Sequence, residues 1–128
     1  MKKVAVAAAV IRDGDKLFAT QRGYGPHKDR WEFPGGKIEE GETPEQALCR
    51  EIREELETEI RVEKRIARIE LDDPEFHLTM DCFFCRVLSG KLTLLEHKNS
   101  AWLSLDDLDQ MDWLPADRKL IRYIREQF

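Results

Sequence analysis

The sequence lacks the features of disulfide-rich, membrane-spanning and long nucleic-acid-binding proteins. Its three cysteines are an odd number, which argues against a disulfide framework. No segment approaches the roughly 18 consecutive apolar residues that a membrane span needs. Lysine and arginine total 21 against 26 aspartates and glutamates, so the net charge of −5 supplies no basic field for a long nucleic acid. A small polyanionic substrate remains compatible with this charge if a divalent cation offsets the acidic groups.

The C-x-x-C formed by Cys82 and Cys85 is predicted to belong to the core rather than to a zinc or redox site. Phe83 and Phe84 fill the gap, and the surrounding run is typical of a strand, in which positions three apart point to opposite faces. No second cysteine pair follows in the sequence, as a structural zinc site would require.

The N-terminal residues combine two lysines with a short apolar run, a pattern that superficially resembles a signal peptide. The run ends at Ile11, and no small-residue cleavage site follows it. Residues 12–16 (Arg-Asp-Gly-Asp-Lys) are typical of a hairpin turn. The run is therefore predicted to be a buried first strand, and we expect a cytoplasmic protein with no membrane partner.

The chain of 128 residues is expected to form one α/β domain over residues 1–128, with helices packed on a mixed β-sheet. Strand patterns cover residues 4–11, 16–22, 31–33, 37–41, 61–71, 76–88 and 101–103. Pro34-Gly35-Gly36 is expected to be a turn. Helices are expected at residues 44–56, briefly after Ser104, and from Pro115 to about Gln127. The chain shows no repeat, low-complexity tract or linker.

The helix expected at residues 44–56 has a well-defined start. Thr43 is placed as the N-cap, Pro44 as the first helical residue, and Gln46 completes a capping box. Turning the helix by 100° per residue places its apolar side chains in one stripe facing the core; these are Leu48, Cys49, Ile52 and Leu56.

Glu51, Glu54 and Glu55 form a second stripe beside the apolar one. The alternative is a solvated helix with ion pairs, such as Arg50 with Glu54 at i,i+4. Glu51 and Glu55 are also i,i+4 but carry like charge, which costs a few tenths of a kcal/mol. Crowded carboxylates favour a Mg²⁺ site, because Mg²⁺ prefers oxygen ligands and commonly shares them with phosphates.

The spacing of these residues resembles the 23-residue Nudix box, G-x5-E-x7-R-E-U-x-E-E-x-G-U, over residues 36–58. Gly36 and Glu42 match its start, and the run Arg50-Glu51-Ile52-Arg53-Glu54-Glu55 matches its centre. Glu57 and Thr58 depart from the Gly-aliphatic end, and a non-glycine residue there is expected to cost on the order of 1 kcal/mol. The chain is similar to the MutT-type branch of the Nudix hydrolases, which implies a Nudix-like α/β/α sandwich.

The resemblance implies a set of metal ligands for Mg²⁺, with Mn²⁺ as a substitute. Those implied are Glu51, Glu54, Glu55 and the carbonyl of Gly35, with Glu42 near the metals. Arg50 would orient the glutamates through charge-assisted hydrogen bonds. At the site that these residues would form, a water molecule would attack the phosphate chain of the substrate.

Glu96 lies where MutT-type members carry a late loop glutamate that binds metal or activates water, although a lone loop glutamate is also typical of solvated surface. A carboxylate, Glu51 or Glu96, would take the proton from water. Arg22 and Lys37 are the nearest cations expected to meet phosphate oxygens, with an inert surface position as the alternative for each.

Base selection is expected to fall outside the box, near Asp117 in the run Leu114-Pro115-Ala116-Asp117. CTP pyrophosphohydrolases share a Pro-Ala-Asp run, and an ionised Asp accepts a hydrogen bond from the cytosine N4 amine. Alternatively, a protonated Asp117 serves an oxidised purine, or Asp117 only caps the last helix. Phe33, Phe83 and Trp113 are candidates to stack on the base or are ordinary core.

The resemblance implies a nucleoside triphosphate pyrophosphohydrolase that releases a monophosphate and pyrophosphate, acting on CTP, dCTP or a modified pyrimidine nucleotide. The close alternative is nucleotide-pool sanitation of 8-oxo-dGTP. A non-catalytic nucleotide sensor and a purely structural helix are the remaining alternatives. The sequence gives no indication of oligomeric state.

Overall fold

The computed structural model describes residues 2–128 as a seven-stranded mixed sheet with helices on both faces. In chain order the elements are β1 Lys2–Asp13, β2 Lys16–Arg22, β3 Trp31–Glu32, β4 Gly35–Lys37, α1 Pro44–Leu56, β5 Glu59–Asp72, β6 Phe76–Ser89, β7 His97–Leu103, a 3-10 helix Leu105–Gln110 and α2 Pro115–Gln127. The predicted bounds of both α-helices are confirmed. No helix within residues 2–128 has the length and apolar character needed to cross a membrane.

β1 is the organising strand of the sheet, whose main path runs β3-β2-β1-β6-β5. It pairs in parallel with β6 from Lys2 to Ile11, and β6 pairs antiparallel with β5. On its other edge β1 pairs antiparallel first with β4 and then with β2, while β7 extends the sheet beside β2. The predicted mixed sheet is confirmed.

Side chains alternate along β1 between two hydrophobic cores, as the period of a strand requires. Ala8 and Val10 pack in the core under α2, whereas Ala7, Ala9 and Ile11 pack in the core under α1. This two-sided burial confirms the α/β/α sandwich and the buried first strand.

Cys82 and Cys85 lie in different cores on opposite faces of β6, as the spacing of three predicts. Both side chains are fully buried, and burial raises the pKa of each thiol well above its ordinary value. The pair cannot share a zinc ion, and neither thiol has the character of a reactive thiolate.

The prediction of a turn at Pro34-Gly35-Gly36 is wrong, and of the extended run predicted at residues 37–41 only Lys37 lies in a strand. Gly35–Lys37 is itself strand β4, paired with Val6, Ala7 and Ala8 of β1. A Cβ on Gly35 would lie 1.9 Å from the carbonyl oxygen of Ala7, so this close approach needs glycine. The turn comes later, at residues 40–41, where Gly41 has φ of 84°.

The last strand is longer than the predicted residues 101–103. β7 begins at His97, because its pairing with β2 continues from Leu17–Leu103 to Arg22–His97 through a bulge at the Arg22 end. Its polar residues 98 to 100, of which Lys98 and Asn99 are exposed, hide the alternation that identifies a strand in the sequence. The extension matters because it places Glu96 directly before a strand anchored to β2.

Candidate active site

The phase of α1 is fixed at its first turn. The Gln46 N–H donates to Thr43 Oγ1 at 3.1 Å, and the Thr43 N–H donates to Gln46 Oε1 at 2.9 Å. This confirms the predicted capping box, with Pro44 at the first helical position. Because the start is fixed, the rotation of every later glutamate on the helix is fixed as well.

Gly36 of β4 makes room for the carboxylate of Glu51. A Cβ on Gly36 would lie 2.4 Å from the carboxyl carbon and Oε2 of Glu51. The Glu51 side chain is only 15% exposed, and an added Cβ at residue 36 would force its carboxylate out of this position. The first fixed glycine of the box therefore lets the Glu51 carboxylate lie against the sheet, a purpose distinct from that of Gly35.

Arg50 binds three carboxylates and one carbonyl. Its Nε and Nη2 donate to Glu42 at 2.8 and 3.0 Å, and Nη1 donates to Glu51 at 2.9 Å and Glu54 at 3.2 Å. Nη2 also donates to the Lys37 carbonyl at 3.0 Å. These bonds lower the pKa of Glu42 to about 2 and raise that of Arg50. The geometry is that of a guanidinium orienting acidic groups.

Glu55 is the least compensated carboxylate of the helix. Its Oε2 is buried and has no hydrogen-bond partner among residues 2–128. Burial and the neighbouring charges of Glu51, Glu32 and Glu96 raise the pKa of Glu55 to about 8. A buried oxygen without a donor, surrounded by further carboxylates, is a place that a divalent cation fits.

The predicted ligands are neighbours but are not gathered into a finished site. Within residues 2–128, no group of three or more His, Cys, Asp or Glu side chains is close enough together to hold a metal ion. Glu54 is 57% exposed and is drawn toward Arg50, while Glu51 and Glu55 lie on the buried side. The assignment of these ligands, including the Gly35 carbonyl, stays a prediction that the residue chemistry fits.

Glu96 approaches the helix from the loop before β7. Its charge is among those that raise the pKa of Glu55, which places it on the same side as the glutamate stripe. The Tyr24 hydroxyl donates to Glu96 Oε2 at 2.8 Å, and this bond raises the pKa of the phenol. Glu96 is thus connected to the predicted metal site from outside the box, and its role in hydrolysis stays a prediction.

Glu32 is a further candidate site residue, one that the sequence patterns did not indicate. It lies on β3, largely buried, and receives two hydrogen bonds from Arg22 at 3.3 and 3.2 Å, with His97 Nε2 3.3 Å from its Oε2. Burial alone would raise the pKa of Glu32, but the contacts with His97 and Arg22 outweigh it and lower the pKa. The signal in the sequence is a charged residue between two aromatic ones, Trp31 and Phe33.

The two predicted phosphate-binding cations occupy different settings. Arg22 is committed to Glu32 and also donates to the Pro26 carbonyl at 3.3 Å, so its charge is compensated inside the protein. Lys37 is exposed at the end of β4, and its own carbonyl is bound by Arg50. Of the two, Lys37 has the side chain that is available to a phosphate; both assignments stay predictions.

Asp117 does more than cap α2, so the cap-only alternative is wrong. The N-cap is Leu114, and Asp117 Oδ1 accepts the Phe33 N–H at 2.8 Å across to the end of β3. Its side chain is buried, and burial raises its pKa to about 8 even though the Phe33 bond opposes the shift. The bond ties the first turn of α2 to the residue that follows β3.

The aromatic candidates for base stacking are packed in the cores. Phe33 stacks on Trp113 with ring centroids 4.7 Å apart, and Trp113 Nε1 donates to the Leu108 carbonyl at 2.6 Å. Phe83 lies on the opposite face, in the core under α1. The ordinary-core alternative therefore holds for Phe83 and Trp113, and contact of Phe33 with a base stays a prediction.

The end of the box departs from the family pattern and is stabilised differently. Glu57 adopts the left-handed conformation, with φ 49° and ψ 41°, that glycine normally supplies. Thr58 replaces the aliphatic residue; its hydroxyl donates to the Leu56 carbonyl at 2.9 Å and accepts the Leu92 N–H at 2.9 Å. This threonine joins the helix end to the loop that leads to Glu96.

Comparison with known proteins agrees with this geometry. The NUDIX domain model matches residues 1–124. The chain is 34% identical over 127 residues to an 8-oxo-dGTP diphosphatase of Escherichia coli, covering 98% of both chains. It is also 34% identical over 122 residues to a CTP pyrophosphohydrolase of Escherichia coli, covering 94% of this chain and 90% of the relative.

The fold agrees as well. The solution structure of the Escherichia coli ORF135 protein superposes with a TM-score of 0.86 at 32% identity, covering 98% of this chain and 91% of the other. Matches of this extent to named diphosphatases and pyrophosphohydrolases favour an enzyme over a nucleotide sensor or a structural helix. The chain belongs to the Nudix family and is a hydrolase of its MutT-type branch.

Proposed function

We propose that the protein is a Mg²⁺-dependent nucleoside triphosphate pyrophosphohydrolase that releases a nucleoside monophosphate and pyrophosphate. The observation that carries this proposal is the state of Glu55: a buried carboxylate oxygen without a donor, beside the carboxylates of Glu51 and Glu96. Nudix hydrolases generally need a divalent metal, usually Mg²⁺. The glutamate ridge of α1, formed by Glu51, Glu54 and Glu55, is energetically unfavourable without a cation. It becomes favourable when a cation is shared between these carboxylates and phosphate oxygens.

The glutamates of α1 that would hold the ion are Glu51, Glu54 and Glu55. Glu42, Glu96 and the carbonyl of Gly35 would assist them. The ion supplies charge neutralisation for phosphate oxygens and makes water a stronger nucleophile at neutral pH, with Mn²⁺ able to replace Mg²⁺. The donor set is entirely oxygen, as hard divalent cations prefer.

The protein's own contribution is orientation and proton transfer. Arg50 donates to Glu51 and to Glu54 and so restricts the positions that the two carboxylates can take. Glu51 or Glu96 accepts the proton of the attacking water, and Lys37 meets the phosphate chain with its exposed ammonium group. The products are a monophosphate and pyrophosphate.

For the base, we propose cytosine or a modified pyrimidine, read by Asp117. One of its oxygens is occupied by the Phe33 N–H, which leaves the other to accept from the cytosine N4 amine. A donor amine at that position would favour the ionised form of the carboxyl. The CTP pyrophosphohydrolase relative supports this choice of base.

Oxidised guanine is the second candidate, favoured by a specific observation. With a pKa near 8, Asp117 carries a proton at neutral pH and donates a hydrogen bond as well as accepting one. The 8-oxo-dGTP diphosphatase relative and the CTP pyrophosphohydrolase relative are each 34% identical to this chain. The two candidates therefore differ in the protonation state of one side chain.

A panel of triphosphates separates these candidates. The purified protein is incubated with Mg²⁺ and CTP, dCTP, 5-modified dCTP, dGTP and 8-oxo-dGTP, and pyrophosphate release is followed. Highest kcat/KM on the cytosine nucleotides is expected; preference for 8-oxo-dGTP would transfer the assignment to oxidised guanine. Release of pyrophosphate from none of them would overturn the proposal.

The metal role has its own control. Glu54→Gln removes one negative charge from an exposed ridge position and should not disturb the core, because the side chain is 57% exposed. We expect turnover to fall by at least about 100-fold with little change in thermal stability. Turnover within about threefold of the parent would show that Glu54 does not serve the metal site.

A further inference from the structure

Residues 23–30, between β2 and β3, are bound to the segment that carries Glu96. The Tyr24 hydroxyl donates to Glu96 Oε2 at 2.8 Å. An ion pair joins Asp29 to Lys98. The backbone also passes close by, since a Cβ on Gly23 would lie 3.1 Å from the Lys98 Cβ. The two segments therefore continue the association of β2 with β7 beyond the end of their paired strands.

Glu96 needs such an attachment because its own segment gives it little support. It is exposed and lies outside regular structure, four residues after Leu92, which has a left-handed backbone with φ of 53°. Within residues 2–128, the hydrogen bond that the Glu96 carboxylate accepts comes from Tyr24. A glutamate side chain without such an attachment would populate several rotamers and would spend little of its time in a position suited to the reaction.

Tyr24 itself is not held in place by burial. Its side chain is 65% exposed, which makes it the most exposed of the large hydrophobic side chains in the described part of the chain. Its ring contributes little to either core, so the specific contact it makes is the hydroxyl bond to Glu96. An exposed aromatic residue that uses its polar end in this way is suited to positioning another group.

We propose that Tyr24 is a positioning residue that restricts the Glu96 carboxylate and keeps its second oxygen, Oε1, available to the glutamate ridge of α1. This rests on the proposed function, because it assigns Glu96 a part in triphosphate hydrolysis. Losing one hydrogen bond to a charged group near the surface should lower the rate by a factor of roughly three to ten. This decrease is expected in kcat, because Glu96 acts at the reacting centre and does not contact the nucleobase.

The kinetic test uses Tyr24→Phe, Glu96→Gln and the double variant, with Tyr123→Phe as the matched control. Tyr123 is the other tyrosine of the chain; its hydroxyl accepts from Arg122 on α2. Tyr24→Phe should lower kcat about threefold to tenfold with KM within about twofold, and should have no further effect in the Glu96→Gln background. Equal losses in both backgrounds, or no loss in either, would overturn the proposal.

A second measurement needs neither metal nor substrate. The ¹H–¹⁵N nuclear Overhauser effect of the Glu96 amide reports fast motion of the loop in the protein alone. It should fall in Tyr24→Phe and stay unchanged in Tyr123→Phe; an unchanged value in Tyr24→Phe would overturn the positioning role. If the parent protein hydrolyses no triphosphate, the proposed function fails, while this measurement still decides whether Tyr24 holds Glu96.

Discussion

The two adjacent glycines of β4 are expected to differ in what is lost when each is changed to alanine: turnover at one position and stability at the other. A new methyl at Gly36 would lie 2.4 Å from the carboxylate of Glu51, whereas one at Gly35 would lie 1.9 Å from the carbonyl oxygen of Ala7. The first obstacle is the end of a side chain, and the second is backbone in the central strand. The two variants therefore separate the arrangement of the site from the integrity of the sheet.

For Gly36→Ala we expect a large kinetic effect and a small stability effect. The Glu51 side chain can swing away at a cost of about 1 kcal/mol, but a displacement of about 1 Å at a reacting site costs on the order of 100-fold in turnover. The melting temperature should fall by only a few degrees. Turnover is measured with saturating Mg²⁺ and triphosphate, alongside a thermal melt.

For Gly35→Ala the order is reversed. β1 and β4 must separate to relieve a 1.9 Å contact, which breaks their pairing at Ala7 and Ala8. Overpacking against backbone costs about 3 kcal/mol or more, equivalent to on the order of 10 °C in melting temperature for a chain of this size. If Gly36→Ala were as unstable as Gly35→Ala and kept its turnover, the account of the two glycines would be refuted.

Other substitutions test the remaining parts of the site. Because the pKa of Asp117 is raised, its contribution to stability is lost as the pH rises from about 4 to about 8. Asp117→Asn should therefore reduce the change in the free energy of unfolding between pH 4 and pH 7, measured with urea, by about 4 kcal/mol. An unchanged pH dependence would contradict the burial of this carboxyl group. Glu57→Gly should raise the melting temperature by a few degrees, because it relieves a left-handed non-glycine residue; a lower temperature would contradict that strain. Arg50→Lys should reduce turnover about 10- to 100-fold in a Mg²⁺ titration, because an ammonium group cannot bind Glu42, Glu51 and Glu54 together; a loss under twofold would contradict it.

Local signals accounted for the helix that carries the acidic groups. The capping box at Thr43 fixed where α1 begins, and the 3.6-residue period then placed Glu51 and Glu55 beside the apolar stripe. Both depend only on residues within one or two turns of each other. The same kind of argument placed Cys82 and Cys85 on opposite faces of their strand.

The parts that the sequence did not reveal depend on contacts distant along the chain. Tyr24 and Glu96 are 72 positions apart, and the Phe33 N–H reaches Asp117 across 84 positions. No pattern of period 2 or 3.6 encodes such partners. The strand β4 was missed for a related reason: two consecutive glycines are ordinarily a turn signal, and only the proximity of β1 makes them a strand.

Glu32 shows how the acidic ridge is balanced. Arg50 pairs with carboxylates on the outer side of α1, and Arg22 pairs with Glu32, so these two guanidinium groups already have carboxylate partners. Glu55 lies between these two compensated groups, and its Oε2 receives no donor from residues 2–128. A protein that needed only stability would gain by replacing Glu55 with glutamine or an apolar residue of similar volume. Under the function proposed above, a divalent cation shared with phosphate oxygens would supply the positive charge that balances an ionised Glu55.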